Sequence, residues 1–77
     1  MFRVYEFLEF LNSNVESGYS FVRILFTIGN TKGVRFYTLK DKYDSDNEKI
    51  LDLLGNCYVV KVNDSFSDNT IYVSVRG

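Results

Sequence analysis

Along residues 3–16 the apolar side chains recur at three- and four-residue spacing: Val4, Phe7, Leu8, Leu11 and Val15, with Glu6, Glu9 and Glu16 opposite them. That period gathers one apolar stripe on a helix, so the pattern predicts an amphipathic helix here. The "ESGYS" stretch then breaks it, and Gly18 suits the left-handed turn that often follows a helix. From residue 20 the pattern changes. Residues 20–28 and 34–39 are rich in β-branched and aromatic types, and the "GNTKG" between them predicts a hairpin with a longer, glycine-containing loop.

The polar run "DKYDSDNEK" opens a second helix. Ser45 followed by Glu48 matches a capping box, and Asp44, Asp46 and Glu48 suit the positive end of a helix dipole. In "NEKILDLLG" the spacing puts Ile50, Leu51, Leu53 and Leu54 on one side, with Gly55 as the stop. Residues 57–63 and 70–76 read as two more strands around "DSFSDN". The expectation is therefore a single α+β domain over residues 1–77. Its order is α-β-β-α-β-β, with two short helices packed on one face of a four-stranded, mainly antiparallel sheet. "FLEFLN" at 7–12 parallels "ILDLLGN" at 50–56, and "VRI" at 22–24 parallels "VKV" at 60–62, which suggests a degenerate internal repeat of 3–39 in 46–76.

If both helical stripes cover the same face, strand alternation separates two sets of side chains. The helix-facing set is Val22, Ile24, Phe26, Ile28, Val34, Phe36, Tyr58, Val60, Val62, Ile71, Val73 and Val75. The opposite set is Phe21, Arg23, Leu25, Thr27, Arg35, Tyr37, Leu39, Val59, Lys61, Tyr72, Ser74 and Arg76. The first is almost wholly apolar; the second mixes cations, tyrosines and aliphatics. On this reading every acid lies in a helix or loop, and the strands carry only positive charge.

Composition sharpens the picture. The chain is 45% hydrophobic and 25% charged, the balance of a folded domain rather than a disordered segment. Six tyrosines and seven phenylalanines carry much of the packing, for there is no tryptophan. A formal charge of −1 argues against phosphate-backbone binding by net charge and against a nucleic-acid mimic, so any electrostatic role must come from arrangement. "MFRVYEFLEFL" is interrupted by Arg3, Glu6 and Glu9 and lacks a small-residue cleavage site, so it does not read as a signal peptide. No uncharged apolar run approaches the ~20 residues of a membrane span. The lone Cys57 fits a reducing, cytoplasmic setting. "NDS" at 63–65 matches a glycosylation pattern that has no use there.

Candidate chemistry is sparse. Without histidine the chain has no ready general base near neutral pH and no Ser-His or Cys-His pair, so an enzyme is not expected. Asp41, Asp44, Asp46 and Glu48 cluster, but they lack the central glycine and terminal glutamate of a calcium loop, and helix capping accounts for them. "GNTKG" lacks the spacing of a phosphate loop. Neither a metal nor a cofactor is expected. "KGVRFYTL" at 32–39 shares Lys32, Gly33 and Phe36 with the RNA-recognition-motif fingerprint, but Val34 and Leu39 stand where aromatics belong, and that family is not assigned.

What remains as a docking surface is the basic, tyrosine-bearing sheet face, or a sheet edge. Phe21, Arg23, Arg35, Tyr37, Lys61, Tyr72 and Arg76 are the expected binding residues. Arginine supplies planar paired donors for carboxylate or phosphate, and tyrosine a stiff docking surface. Three occupants fit: a protein partner with an acidic surface, a single-stranded nucleic acid, or a second copy of the chain forming a homodimer. An ordinary solvated face, with cationic stems shielding apolar neighbours, is the plain alternative. The short, proline-free, Asn/Asp/Lys/Ile/Tyr-rich chain looks like the small reading frames of phages or mobile elements in AT-rich hosts. An inhibitor that blocks a host enzyme or defence complex is the function expected on that likeness.

Overall fold

A computed structural model describes residues 2–14, 18–41, 43–65 and 67–77. In chain order these form α1 (Val4–Ser13), β1 (Phe21–Ile28), β2 (Thr31–Thr38), α2 (Ser45–Leu54), β3 (Tyr58–Ser65) and β4 (Thr70–Arg76). Two helices cover one face of a four-stranded sheet, the α+β arrangement its patterning predicts. The strands lie in the order β2-β1-β4-β3. Each hairpin is antiparallel, and the two hairpins join through a parallel β1–β4 contact at the centre.

The central strands alternate cleanly. Val22 and Ile24 of β1, and Val73 and Val75 of β4, are buried beneath the helices. Val4, Phe7 and Leu8 of α1 and Ile50 and Leu54 of α2 meet them. Truncating a buried aliphatic such as Leu8 would cost about 2–5 kcal/mol.

Both helix starts are satisfied by named groups. The first free N–H groups of α1 donate to the turn after α2, Val4 N to Cys57 O at 2.8 Å and Tyr5 N to Gly55 O at 3.0 Å. Glu6 turns back to accept from Arg3 N at 3.1 Å. The described helix has its C-cap at Asn14; the rest of the expected span, Val15 and Glu16, lies outside the described residues. In α2 the cap is Asp44, not Ser45: its carboxylate accepts from Asp46 N at 2.9 Å and Ser45 is already helical. Asn47 is fully buried and fastens α2 to the end of β2. It accepts from Thr38 N at 3.0 Å and donates to Thr38 O at 2.9 Å and Asp41 O at 3.0 Å.

The first hairpin differs from expectation in one respect that matters. Its turn is two residues, Gly29 and Asn30, with Gly29 at φ +59°, the positive first position of a type II′ turn. Thr31, Lys32 and Gly33 therefore belong to the strand. Gly33 is favoured there by packing rather than by turn geometry: a Cβ would stand 2.5 Å from Phe26 Cζ, so the ring would have to shift. Because Ile28 pairs with Thr31, every β2 side chain lies on the face opposite to the one expected. Gly33, Arg35, Tyr37 and the following Leu39 turn to the helix side, whereas Val34 and Phe36 turn to the open side.

A bulge at Val60 makes a smaller correction in β3. Val59 packs on the core, while Tyr58 pairs with Arg76 on the open side. Lys61 and Val62 keep their expected faces. The strand runs on to Ser65, so it contains Asp64, an acid where none was expected. Asp64 sits on the helix side and accepts from the Tyr19 hydroxyl.

Candidate functional site: the open sheet face

Residues directly paired across a ladder share a face, so the register lays out the uncovered side of the sheet. Reading from β2 to β3, one row is Phe36, Arg23, Tyr72 and Asn63. The next is Val34, Leu25, Ser74 and Lys61, and the third is Lys32, Thr27, Arg76 and Tyr58. At the other end Thr38, Phe21, Thr70 and Ser65 close the face. Apolar side chains on it are accessible: Leu25 at the centre is 44%, Phe36 on the edge strand 60% and Phe21 in the end row 40% exposed.

Charge on this face has one sign. Among the described residues its strand positions carry Arg23, Lys32, Lys61 and Arg76 and no carboxylate, and no ion pair neutralises these cations. Asp64 points away, and the acids Glu6, Glu9, Asp46, Glu48 and Asp52 belong to the helical layer. An acid does reach the margin of the face: Asp68 in the β3–β4 turn, whose carboxylate accepts from Tyr72 Oη at 2.8 Å. That hydrogen bond, with burial and the Asp68 charge, holds the Tyr72 hydroxyl above its ordinary pKa, against a smaller opposing pull from Arg23. The Arg23 guanidinium lies 5.7 Å from the Tyr72 ring centre, within cation–π range. Arg23, Lys61, Asn63, Tyr72 and Ser74 frame a shallow cavity of about 340 Å³ with Leu25 at its side. At the Phe21 end, Lys40 Nζ lies 5.9 Å from the ring centre.

Of the residues expected to bind, Phe21, Arg23, Lys61, Tyr72 and Arg76 are brought together here. Arg35 and Tyr37 are not. Arg35 lies on the helix side, its guanidinium 5.6 Å from the Phe26 ring centre and its Nη1 donating to Val34 O at 3.1 Å. Tyr37 is 2% exposed, and its hydroxyl accepts from Asn12 Nδ2 at 2.9 Å. Phe36, Lys32 and Asn63 take their places on the face. The signal for the first two was present, because Gly-Asn between two apolar runs is itself a two-residue hairpin mark.

Other surfaces offer less. A groove of about 590 Å³ is lined by Tyr5, Glu9, Asn12, Tyr37 and Tyr43, with Asn12 and Tyr37 hydrogen-bonded to each other. Cys57 is buried, and burial pushes its thiol up, away from the reactive thiolate. No helix among the described residues is long and apolar enough to cross a membrane, and no three candidate metal ligands gather among them. Compared with protein-family models, curated proteins and solved structures, the chain matches none.

Proposed function

We propose that the chain is a non-catalytic binding protein whose open sheet face docks onto a protein with an acidic surface. One observation carries this reading: the row Phe36–Arg23–Tyr72 and its neighbours set exposed rings and aliphatics among four cations, with no carboxylate at the strand positions. Apolar area supplies the adhesion and the cations supply orientation and encounter rate. Arg23, its guanidinium 5.7 Å from the Tyr72 ring centre, offers a planar fork to a carboxylate, with Lys61 and Asn63 beside it. A chain of this kind acts by occupying a surface of a larger enzyme or complex, and inhibition is the outcome that suits it.

The test is capture from lysate with paired variants. Arg23→Glu with Lys61→Glu removes the bound protein, whereas Arg35→Glu, on the other side of the sheet, retains it. Equal capture by wild type and both variants refutes the reading.

A second reading, binding of single-stranded nucleic acid, draws on the exposed Phe21 and Phe36 rings beside cations. It ranks lower because Tyr72 is tied to Asp68 with the Arg23 guanidinium near its ring, and the middle of the face is the aliphatic pair Val34–Leu25. A gel shift at ~50 mM salt, where counterion release favours binding most, decides it: no retarded band removes this reading.

A further inference from the structure

β2 is an edge strand, and its pairing with β1 runs from Thr31 to Thr38 with no register shift. The residues flanking a two-residue turn exchange both main-chain hydrogen bonds. Thr31, Gly33, Arg35 and Tyr37 therefore aim their N–H and C=O groups at β1, and Lys32, Val34, Phe36 and Thr38 aim theirs outward. Three contacts fix that phase. Leu39 N donates inward to Ser20 O at 2.8 Å; Asn47 takes both main-chain groups of Thr38 from outside; Arg35 Nη1 reaches Val34 O from outside. Among the described residues that guanidinium alone meets the outward groups of Lys32, Val34 and Phe36.

The opposite edge is blunted. β3 carries the bulge at Val60, Phe2 O accepts from Val59 N at 2.8 Å, and Arg3 bridges to Tyr58. Bulges and covering segments are the usual devices that keep an edge from pairing with another chain. The β2 edge has neither between Lys32 and Phe36. It is bordered by a groove of about 400 Å³ whose walls include Phe36, Ile50 and Leu53, and Phe36 and Leu53 are at least half exposed.

We infer that this edge pairs antiparallel with β2 of a second copy of the chain, about a two-fold axis at Val34, to give one continuous eight-stranded sheet. The register is self-complementary. With the axis at Val34, Val34 faces Val34 and each Lys32 faces Phe36 of the other copy, so all the outward groups of these three residues find partners. Each Lys32 ammonium then lies beside an exposed ring, and each Arg35 falls opposite Gly33 rather than another cation. Moving the axis to Arg35 sets two guanidiniums against each other; moving it to Gly33 leaves Phe36 opposite the turn. The axis is normal to the sheet, so both copies of α2 flank the junction and the grooves holding Leu53 are covered. The open faces stay uncovered and become one surface, so the inference stands whether or not an acidic partner docks there.

Sedimentation equilibrium on the full chain tests this. Over roughly 1–500 µM, a span that brackets micromolar association, the mass is expected to rise from 9.0 kDa to twice that value. Val34→Pro deletes an N–H that the chain itself does not use, and edge positions tolerate proline, so this variant stays monomeric with unchanged far-UV dichroism. Phe36→Lys, at a side chain 60% exposed, sets like charges opposite Lys32 and is monomeric too. A wild type monomeric across the range overturns the inference, as does a dimer that persists in Phe36→Lys or in folded Val34→Pro.

Discussion

Asn47→Ala tests the fastening of α2 to the sheet. The side chain is 1% exposed and makes three hydrogen bonds of 2.9–3.0 Å, two to the main chain of Thr38 and one to Asp41 O. A hydrogen bond contributes about 1 kcal/mol net, and a buried group stripped of its partner costs about 1–3 kcal/mol. Water reaches part of Thr38, so the expected loss is about 2–4 kcal/mol rather than the full sum. A chain of 77 residues has a total stability of roughly 4–11 kcal/mol, so the variant should be visibly marginal. Urea titration followed by far-UV dichroism would show the midpoint falling by about 2 M at unchanged slope, and Tm dropping by roughly 10–25 °C. Asn47→Asp separates the two halves of the amide. It keeps the acceptor for Thr38 N but turns a charge toward two carbonyl oxygens, which raises the folded-state pKa of the new carboxyl. Its stability should therefore recover as pH falls and be lost as pH rises. A loss below about 0.5 kcal/mol for Asn47→Ala would refute the claim that this amide holds the element.

Three further outcomes follow from the same geometry. Asp44→Ala should cost about 1 kcal/mol in chemical denaturation while Ser45→Ala stays within about 0.5 kcal/mol, and the reverse order would put the α2 cap back at Ser45. Gly33→Val should cost about 1–3 kcal/mol by crowding the Phe26 ring, and less in a Phe26→Leu background; a double-mutant cycle without coupling would show the two do not touch. The Tyr19 hydroxyl, donating to Asp64, is held above its ordinary pKa of 10.0 chiefly by that hydrogen bond, with burial and the Asp64 charge adding to it. Because the folded value is the higher one, this contribution is whole below pH 10 and is lost as pH rises through the raised value. Tyr19→Phe should flatten the alkaline decline of the urea midpoint, and identical slopes would refute the assignment.

The elements were legible because each carries its own local signal. Val4, Phe7 and Leu8 repeat at helical spacing, and Val22, Ile24 and Phe26 alternate in a strand whose other face is open. β2 was legible as a strand but not in phase. Reading "GNTKG" as a loop removed Thr31–Gly33 from the ladder, and an odd-numbered shift exchanges faces for the whole strand. Arg35 and Tyr37 were thereby placed on the binding face and Phe36 in the core, each the reverse of what the structure shows. The Val60 bulge left no mark, since "YVVKV" reads equally well with or without an unpaired residue. The parallel β1–β4 contact joins segments far apart in sequence, which no local pattern encodes. Asn47 was missed for a related reason: a polar residue in the first turn of a helix ordinarily faces water, and only the approach of Thr38 and Asp41 makes this one a core residue. The site was half legible for the same cause. Arg23, Lys61, Tyr72 and Arg76 lie on strands whose phase was right at those positions.

Site-specific photo-crosslinking reports most directly on which surface meets a partner. Benzoylphenylalanine in place of Leu25, 44% exposed at the middle of the open face, is compared with the same residue in place of Phe10, 56% exposed on α1. Both positions are apolar and similarly accessible, so chance collisions label them alike. Docking through the sheet predicts a discrete protein adduct from position 25, abolished by Arg23→Glu, and none from position 10. An adduct from position 10 alone would contradict it.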